Sequence, residues 1–258
     1  MSSIIYGPVP SWRLGRSLGI DLLSTGGKTC SFDCIYCQLG KTAHPLTERK
    51  EFVNLDKLAM ELERAREISA DFATFSGVGE PTLASNLGDA IKLTKATLEL
   101  PVAVLTNSYL MVREDVRHEL SLADVVVAKV DAPNEKIFHE INRPIARYTF
   151  AEILNALKLF RKEYQSKLAL QMMFIEANKE YAPEMAKIAV DVSPEEVQIN
   201  TPLRPCKVKP LTPAGIVAIR REFTSLPKVV TVYEAPKFDV APLNLIEMLR
   251  RRPKEHHQ

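Results

Sequence analysis

Three cysteines stand close together near the start of the chain, and their type and spacing suggest chemistry more clearly than any other residues. Cys30, Cys34 and Cys37 form a C-x3-C-x2-C pattern, while Cys206 lies far away. Disulfides of a secreted framework spread along the chain, so this tight trio predicts a metal site in a reducing compartment. Three thiolates on one loop can reach three irons of a cubane cluster and leave the fourth iron open.

Zinc is the alternative metal for this loop. Structural zinc sites take four ligands, usually in two pairs, and His44 is available to complete a set with the three cysteines. A zinc- or cluster-binding regulatory module without catalysis is therefore a competing interpretation. An electron-transfer protein of the ferredoxin type would need a fourth cysteine near the trio, and the sequence has none there.

Short runs of apolar and β-branched residues alternate with runs of helical period along the chain. Strands are predicted over residues 18–23, 72–76, 101–107, 125–131, 168–175, 196–201 and 229–233. Repeated strand–helix units predict a parallel sheet with outer helices, either as an open sheet or as a partial or complete barrel. In each case the ligand site lies beyond the carboxyl ends of the strands.

Polar residues follow several predicted strands at those ends. Gly79-Glu80-Pro81 comes after strand 72–76, and Thr106-Asn107-Ser108 ends strand 101–107. Lys129 interrupts the apolar run 125–130, where a charge would be costly without a partner. These segments are predicted to meet the cysteine loop at one edge of the sheet.

The cysteine motif resembles the signature of the radical S-adenosylmethionine (SAM) superfamily, C-x3-C-x-aromatic-C, with Tyr36 at the aromatic position. The resemblance implies an α/β fold with a partial (β/α)6-type barrel over 1–242, followed by a C-terminal helix and basic tail over 243–258. It implies that Cys30, Cys34 and Cys37 hold a [4Fe–4S] cluster whose open iron binds SAM. It implies SAM contacts from Tyr36, Gly79, Glu80, Pro81, Thr106, Asn107, Ser108, Lys129 and Asp131.

The same resemblance implies an activity. One electron, from a ferredoxin- or flavodoxin-type donor, cleaves SAM to a 5′-deoxyadenosyl radical that abstracts hydrogen from an organic substrate. Segments 200–206 and 249–253 are similar to stand-alone radical SAM proteins near the wyosine-synthesis enzymes of tRNA. A modified RNA nucleoside is therefore the first candidate substrate. A radical SAM activase, or an enzyme modifying a peptide or small metabolite, is the alternative.

Cys206, Arg143 and Arg204 are the candidate catalytic residues outside the cluster motif. Cys206 follows a predicted strand and is interpreted either as a hydrogen donor or covalent handle, or as an idle packed thiol. The guanidinium fork of arginine suits carboxylate or phosphate. Arg143 and Arg204, together with Arg13 and Arg16, are thus candidates to line a pocket for an anionic substrate.

The composition limits the classes of fold, partner and location that are possible for this chain. The chain has 258 residues, 46% of them hydrophobic and 26% charged, which suits one large α/β domain. A net charge of +2 provides no global basic field for nucleic acid, although the basic run 249–254 could be a solvated helix end or an RNA contact. The sequence has no apolar signal segment and no run of about 18 apolar residues, so a cytoplasmic location without a membrane partner is predicted.

Overall fold

The computed structural model describes residues 3–145, 147–236 and 238–254. Within these residues the large sheet contains β1 Ile5–Ser11, β2 Gly15–Ile20, β5 Phe72–Phe75, β6 Val102–Thr106, β7 Val125–Lys129, β8 Lys167–Met173, β9 Glu196–Asn200 and β10 Val229–Thr231. A separate ladder contains β3 Thr29–Cys30 and β4 His44–Pro45. The large sheet has the order β1-β2-β5-β6-β7-β8-β9-β10, and all its pairs are parallel except β1 with β2.

Helices follow the strands as the alternating pattern predicts. They are α1 Leu55–Ala65, α2 Leu87–Leu98, α3 Glu114–Leu120, α4 Glu135–Ile141, α5 Phe150–Glu163, α6 Ala182–Val192, α7 Pro213–Arg220 and α8 Leu245–Arg251. Local signals explain several helix starts: Thr149 and Glu152 form a reciprocal capping box at α5, and Pro183 lies in the first turn of α6. The apolar faces of these helices pack on the outer face of the sheet, and Leu62, Ile91 and Leu157 are fully buried there.

The sheet curls into a half-barrel, which confirms the predicted fold class. Its inner face holds a small apolar cluster in which Leu14, from the turn between β1 and β2, packs with residues of β6, β7 and β8. The neighbouring Arg13 crosses the interior, and its Nη1 donates a hydrogen bond of 3.1 Å to Oε1 of Gln171 on β8. A flat sheet would separate β2 from β8 by three intervening strands, so this contact requires the curl.

Some elements differ from the sequence prediction. The strand β1 and the helix α4 were not predicted, and several strands end one or two residues early. The strand predicted over 125–131 ends at Lys129, although the N–H of Val130 still donates to the carbonyl of Gln171 on β8 at 3.0 Å. Asp131 belongs to the site described below. None of the helices in the described part of the chain has the length and apolarity that a membrane crossing requires. Residues 255–258 of the predicted basic tail lie outside the described residues.

Candidate active site

The cysteine loop lies at the carboxyl edge of the half-barrel, where it pairs with the segment that follows β5. The backbone N–H of Thr29 donates to the carbonyl of Val78 at 3.0 Å, and the N–H of Glu80 donates to the carbonyl of Thr29 at 3.1 Å. A Cβ on Gly79 would overlap the carbonyl oxygen of Thr29, so the close approach of the two segments requires glycine. Gly79 therefore positions Cys30, the residue that follows Thr29.

Glu80 joins this segment to the end of β6. Its buried carboxylate accepts hydrogen bonds from Thr82 N at 3.2 Å and Thr82 Oγ1 at 2.7 Å. It also accepts from Thr106 Oγ1 and from the backbone N–H of Asn107, both at 2.7 Å. Burial raises the pKa of Glu80 although these hydrogen bonds oppose the change. Pro81 begins the short helical turn that follows. Glu80 and Pro81 therefore support the site from within the protein and connect the segment after β5 to the end of β6.

Asn107 faces the cysteine loop from the end of β6. Its Nδ2 donates to Ser31 Oγ at 2.9 Å and lies 3.6 Å from the sulfur of Cys30. The next residue, Ser108, has a φ of 72° and donates from Oγ to the carbonyl of Lys129 at 3.0 Å. Burial, followed by the Glu80 charge, raises the pKa of Cys30 to about 12. Without a metal this thiol is neutral, as expected for a buried sulfur.

Tyr36, Asp131 and Asn142, which are buried, form a hydrogen-bonded network with the partly exposed Lys129 on the other side of the loop. The hydroxyl of Tyr36 donates to Asp131 Oδ2 and accepts from Lys129 Nζ at 2.9 Å, which itself lies 3.5 Å from that oxygen. Asn142 Nδ2 donates to Tyr36 Oη and to Asp131 Oδ2, both at 3.0 Å, and lies 3.5 Å from the sulfur of Cys34. Burial and then the Asp131 charge raise the pKa of Tyr36 well above its usual range. The network ties the cysteine loop to the end of β7 and supplies the partner that the Lys129 charge needs.

Sequence reasoning missed Asn142 and chose its neighbour Arg143 instead. Both belong to the segment Ile-Asn-Arg-Pro after α4, and an asparagine at a helix end is usually only a cap. In the structure Asn142 is buried beside Cys34, whereas Arg143 is exposed. A second missed residue is Lys28, which is buried next to the trio; the neighbouring cysteine sulfurs raise its pKa against the effect of its burial.

The predicted SAM contacts fall into two groups. Gly79, Asn107 and Lys129 are partly exposed. The buried members are Tyr36, Glu80, Pro81, Thr106, Ser108 and Asp131. We therefore expect the first group to touch a ligand and the second group to hold the first in position.

The thiols suit a cluster better than a single metal ion. Within the described ranges, no three side chains of His, Cys, Asp or Glu lie close enough together to hold one metal ion. A cubane places each thiolate on a different iron, so its cysteines stand further apart than the ligands of one zinc. His44, the fourth ligand of the zinc interpretation, lies exposed on β4. The donor set of Cys30, Cys34 and Cys37 thus fits a [4Fe–4S] cluster with one open iron.

The model of the Radical SAM superfamily matches residues 25–189, which include the cysteine loop and the strands β5 to β8. This chain belongs to the radical SAM superfamily. It is 36% identical to UPF0026 protein MJ1312 of Methanocaldococcus jannaschii over 226 residues, which is 85% of this chain and 70% of that protein. It is 39% identical to UPF0026 protein slr1464 of Synechocystis over 208 residues, or 80% of this chain and 77% of that protein.

Solved structures agree on the fold. Native anSMEcpe with bound AdoMet superposes with a TM-score of 0.62 at 18% identity, covering 84% of this chain and 64% of that chain. This chain thus spans less than two thirds of the length of that structure. Radical SAM proteins bind a [4Fe–4S] cluster and SAM, so these two cofactors, predicted from the cysteine motif, are confirmed at the level of the family.

The structure separates the four arginines that were predicted to line one pocket for an anionic substrate. Arg13 and Arg204 are electrostatically coupled, since the Arg204 charge lowers the pKa of Arg13 after the larger effect of burial. Arg16 was wrongly placed with them: it pairs with Asp71 at 2.7 Å at the amino edge of the sheet, away from the cysteines. Arg143 borders the cysteine loop instead. Cys206 is partly buried, and its Sγ donates to the carbonyl of Val208 at 3.1 Å.

The basic run at the end of the chain is largely engaged within the molecule. The Arg251 side chain has no solvent exposure; its Nε donates to Asp21 Oδ2 at 2.7 Å, and it also pairs with Glu247. The carbonyl of Arg251 accepts from Gln38 Nε2 at 2.9 Å, beside Cys37. Arg251 is therefore neither the solvated helix end nor the RNA contact that the sequence suggested. It attaches α8 to the cysteine loop.

Proposed function

We propose that this protein is a radical SAM enzyme that cleaves SAM reductively and uses the resulting radical to abstract hydrogen from an organic substrate. One observation supports this proposal above the others. Three free cysteines lie on a loop at the carboxyl edge of a half-barrel, and two side-chain amides, from Asn107 and Asn142, point at the sulfurs of Cys30 and Cys34. Amide donors near cluster sulfurs tune iron–sulfur sites.

Cys30, Cys34 and Cys37 would hold the cluster, which would supply the one electron needed to cleave the S–C5′ bond of SAM into methionine and a 5′-deoxyadenosyl radical. The chain's own residues bind and orient SAM. Lys129 suits the SAM carboxylate because it is a partly exposed ammonium held by Asp131 and Tyr36. The backbone around Gly79 is open to the amino group, and Asn107 offers an amide to the ribose.

The deciding experiment is anaerobic. Purified protein is reconstituted with iron and sulfide, then dithionite and SAM are added, and 5′-deoxyadenosine is measured by chromatography. We expect 5′-deoxyadenosine from the wild type and none from Cys34→Ala. A protein that binds one zinc tightly, and never forms a cluster, would contradict the proposal and favour the regulatory module.

A modified RNA nucleoside remains our first proposed substrate, on the resemblance to proteins near the wyosine-synthesis enzymes. The buried position of Arg251 means that the described tail does not carry this proposal. Substrate screening should therefore compare cell RNA with peptide and metabolite pools, using substrate-dependent 5′-deoxyadenosine formation as the readout. Free thiols and a reducible cluster suit a reducing compartment, so we also propose a cytoplasmic location.

The electron donor is proposed to dock next to the cysteine loop. Cys34 and Cys37 line a surface depression that is bordered by the exposed cations Lys41, Arg143 and Lys207 and by one carboxylate, Asp33. A cationic rim around a redox centre complements an acidic donor, such as a ferredoxin- or flavodoxin-type protein. Electrostatic steering of this kind is strongly sensitive to salt.

This docking proposal predicts a kinetic difference between reductants. We expect Lys41→Glu with Lys207→Glu to slow donor-driven 5′-deoxyadenosine formation tenfold or more at low salt, because the rim then repels an acidic donor. Dithionite-driven formation serves as the control for cluster content. Equal donor-driven rates in the variant and the wild type would exclude this docking face.

A further inference from the structure

The inner face of the half-barrel changes from apolar to polar one row above its floor. The floor is formed by Val127 and Ala169, which are register partners, with Leu14 packed on them. Two residues further along the strands, Lys129 of β7, Gln171 of β8 and Gln198 of β9 form the next row. Side chains alternate between faces along a strand, so these three point into the interior.

Arg13 reaches this polar row from the opposite side of the barrel. Its Nη1 donates to Oε1 of Gln171 at 3.1 Å, and its guanidinium lies 4.9 Å from the ring centroid of Trp12. Its Nε is buried and makes no hydrogen bond, and no ion pair of the described residues includes Arg13. Arg13 as a whole is partly buried, but a buried Nε–H without a partner costs free energy, and such sites call for an explanation.

The electrostatic surroundings increase this cost. Burial, and next the charge of Arg204, lower the pKa of Arg13 to about 10, which still leaves it charged at neutral pH. The charge of Glu196 counteracts the shift. Its carboxylate is already shared by Lys167 at 2.9 Å and Lys228 at 2.7 Å. The positive charge of Arg204 thus acts on Arg13, while the carboxylate of Glu196 is engaged by two lysines.

We propose that Arg13, with Gln171 and Arg204, forms a subsite for an anionic group of the substrate, either a phosphate or a carboxylate. The inference rests on the proposed function and names the class of its substrate. An oxyanion between the guanidinium groups would accept the free Nε–H of Arg13 and relieve the repulsion from Arg204. Gln171 is the register partner of Lys129, so the subsite lies one strand away from the predicted SAM contact.

Anion binding can be measured without turnover. The unfolding temperature of the reconstituted protein is followed with increasing inorganic phosphate, and separately with acetate, at constant ionic strength in chloride. We expect one of these anions to stabilise the wild type beyond chloride, and Arg13→Gln to weaken the apparent affinity tenfold or more. A response to phosphate alone indicates a phosphorylated substrate, and a response to acetate alone indicates a carboxylate. Both responses support the subsite.

Arg16→Gln is the matched control, because Arg16 lies three residues away but pairs with Asp71 at the other edge. It should keep the affinity of the wild type within twofold. In chloride alone, Arg13→Gln should unfold at the same temperature as the wild type or higher, since the change removes repulsion; a purely structural arginine would give a lower temperature. If Arg13→Gln does not fold, Arg13→Lys, which loses the planar fork, should show the weakened affinity.

Two results overturn the inference: no stabilisation of the wild type by either anion, or equal anion affinity in wild type and Arg13→Gln. Neither result depends on SAM cleavage. The formation of 5′-deoxyadenosine by the wild type, measured in the same preparation, tests the proposed function separately.

Discussion

Replacing Arg251 by methionine should destabilise the protein far more than the same replacement at Arg250. Arg251 has a side chain with 0% exposure and Asp21 has one with 1% exposure, and the two are joined at 2.7 Å. Removing one partner of a buried ion pair costs about 3–5 kcal/mol, because the other charge stays buried. Asp21 would keep hydrogen bonds from the backbone N–H groups of Leu23, Ser24 and Val78, so we expect a loss of about 3 kcal/mol.

The assay is urea unfolding of the cluster-free protein under reducing conditions. Arg250 is exposed and donates to the carbonyl of Thr25, so Arg250→Met should cost less than about 1 kcal/mol. The double variant Asp21→Asn with Arg251→Met should lose less unfolding free energy than the two single variants lose together. In the double variant neither charge is left buried alone. Equal losses for Arg251→Met and Arg250→Met would refute the reasoning. Lower iron content after reconstitution of Arg251→Met would show that the ion pair also supports the cysteine loop.

Three further predictions concern the site and its surroundings. Gly79→Ala should lower the stability by about 1–3 kcal/mol and should also lower the iron content, because the added methyl overlaps the Thr29 carbonyl. The control Gly26→Ala, whose Cβ would meet nothing within 4 Å, should fold and bind iron as the wild type does. Asn142→Ala should alter the electron paramagnetic resonance signal of the reduced cluster, since it removes the amide beside Cys34, while His139→Gln on the exposed side of α4 should not; identical spectra would contradict this role. Hydrogen bonds from Arg113, and then from Arg49, lower the pKa of Asp115 to about 2. The Asp115 carboxylate therefore stabilises the folded state above its unfolded pKa of about 4, and this stabilisation is lost as the pH falls towards 2. Asp115→Asn should therefore flatten the acid side of the stability profile by less than about 1 kcal/mol, because the carboxylate is half exposed, and an unchanged profile would refute the assignment.

The fold class followed from the sequence because the alternation of strand and helix is a local signal. Strand β1 escaped prediction because Gly7, Pro8 and Pro10 interrupt it; only its edge position beside β2 makes such a strand possible. Helix α4 is a short helix of seven residues between β7 and the Ile-Asn-Arg-Pro segment, and it was not predicted.

The cysteine ligands were predictable because three thiols fall within one loop, but their supports were not. Asn142 meets Cys34 across a sequence separation of 108 residues, and Arg251 meets Asp21 across 230. Such pairs depend on how distant segments come together in space, which no local pattern encodes. Arg16 shows the reverse error, since its residue type suggested a pocket while its position on β2 directs it to Asp71.

The ion pair of Asp21 with Arg251 joins two residues that are synthesised at very different times. Translation proceeds at roughly 5–20 residues per second, so Arg251 is made roughly 10 to 50 seconds after Asp21. For most of that interval, from the synthesis of Cys37 onwards, the three cysteines are already present while the helix α8 is not yet made. The cysteine loop is therefore complete in sequence before the contacts of Arg251 with Asp21 and Gln38 can form.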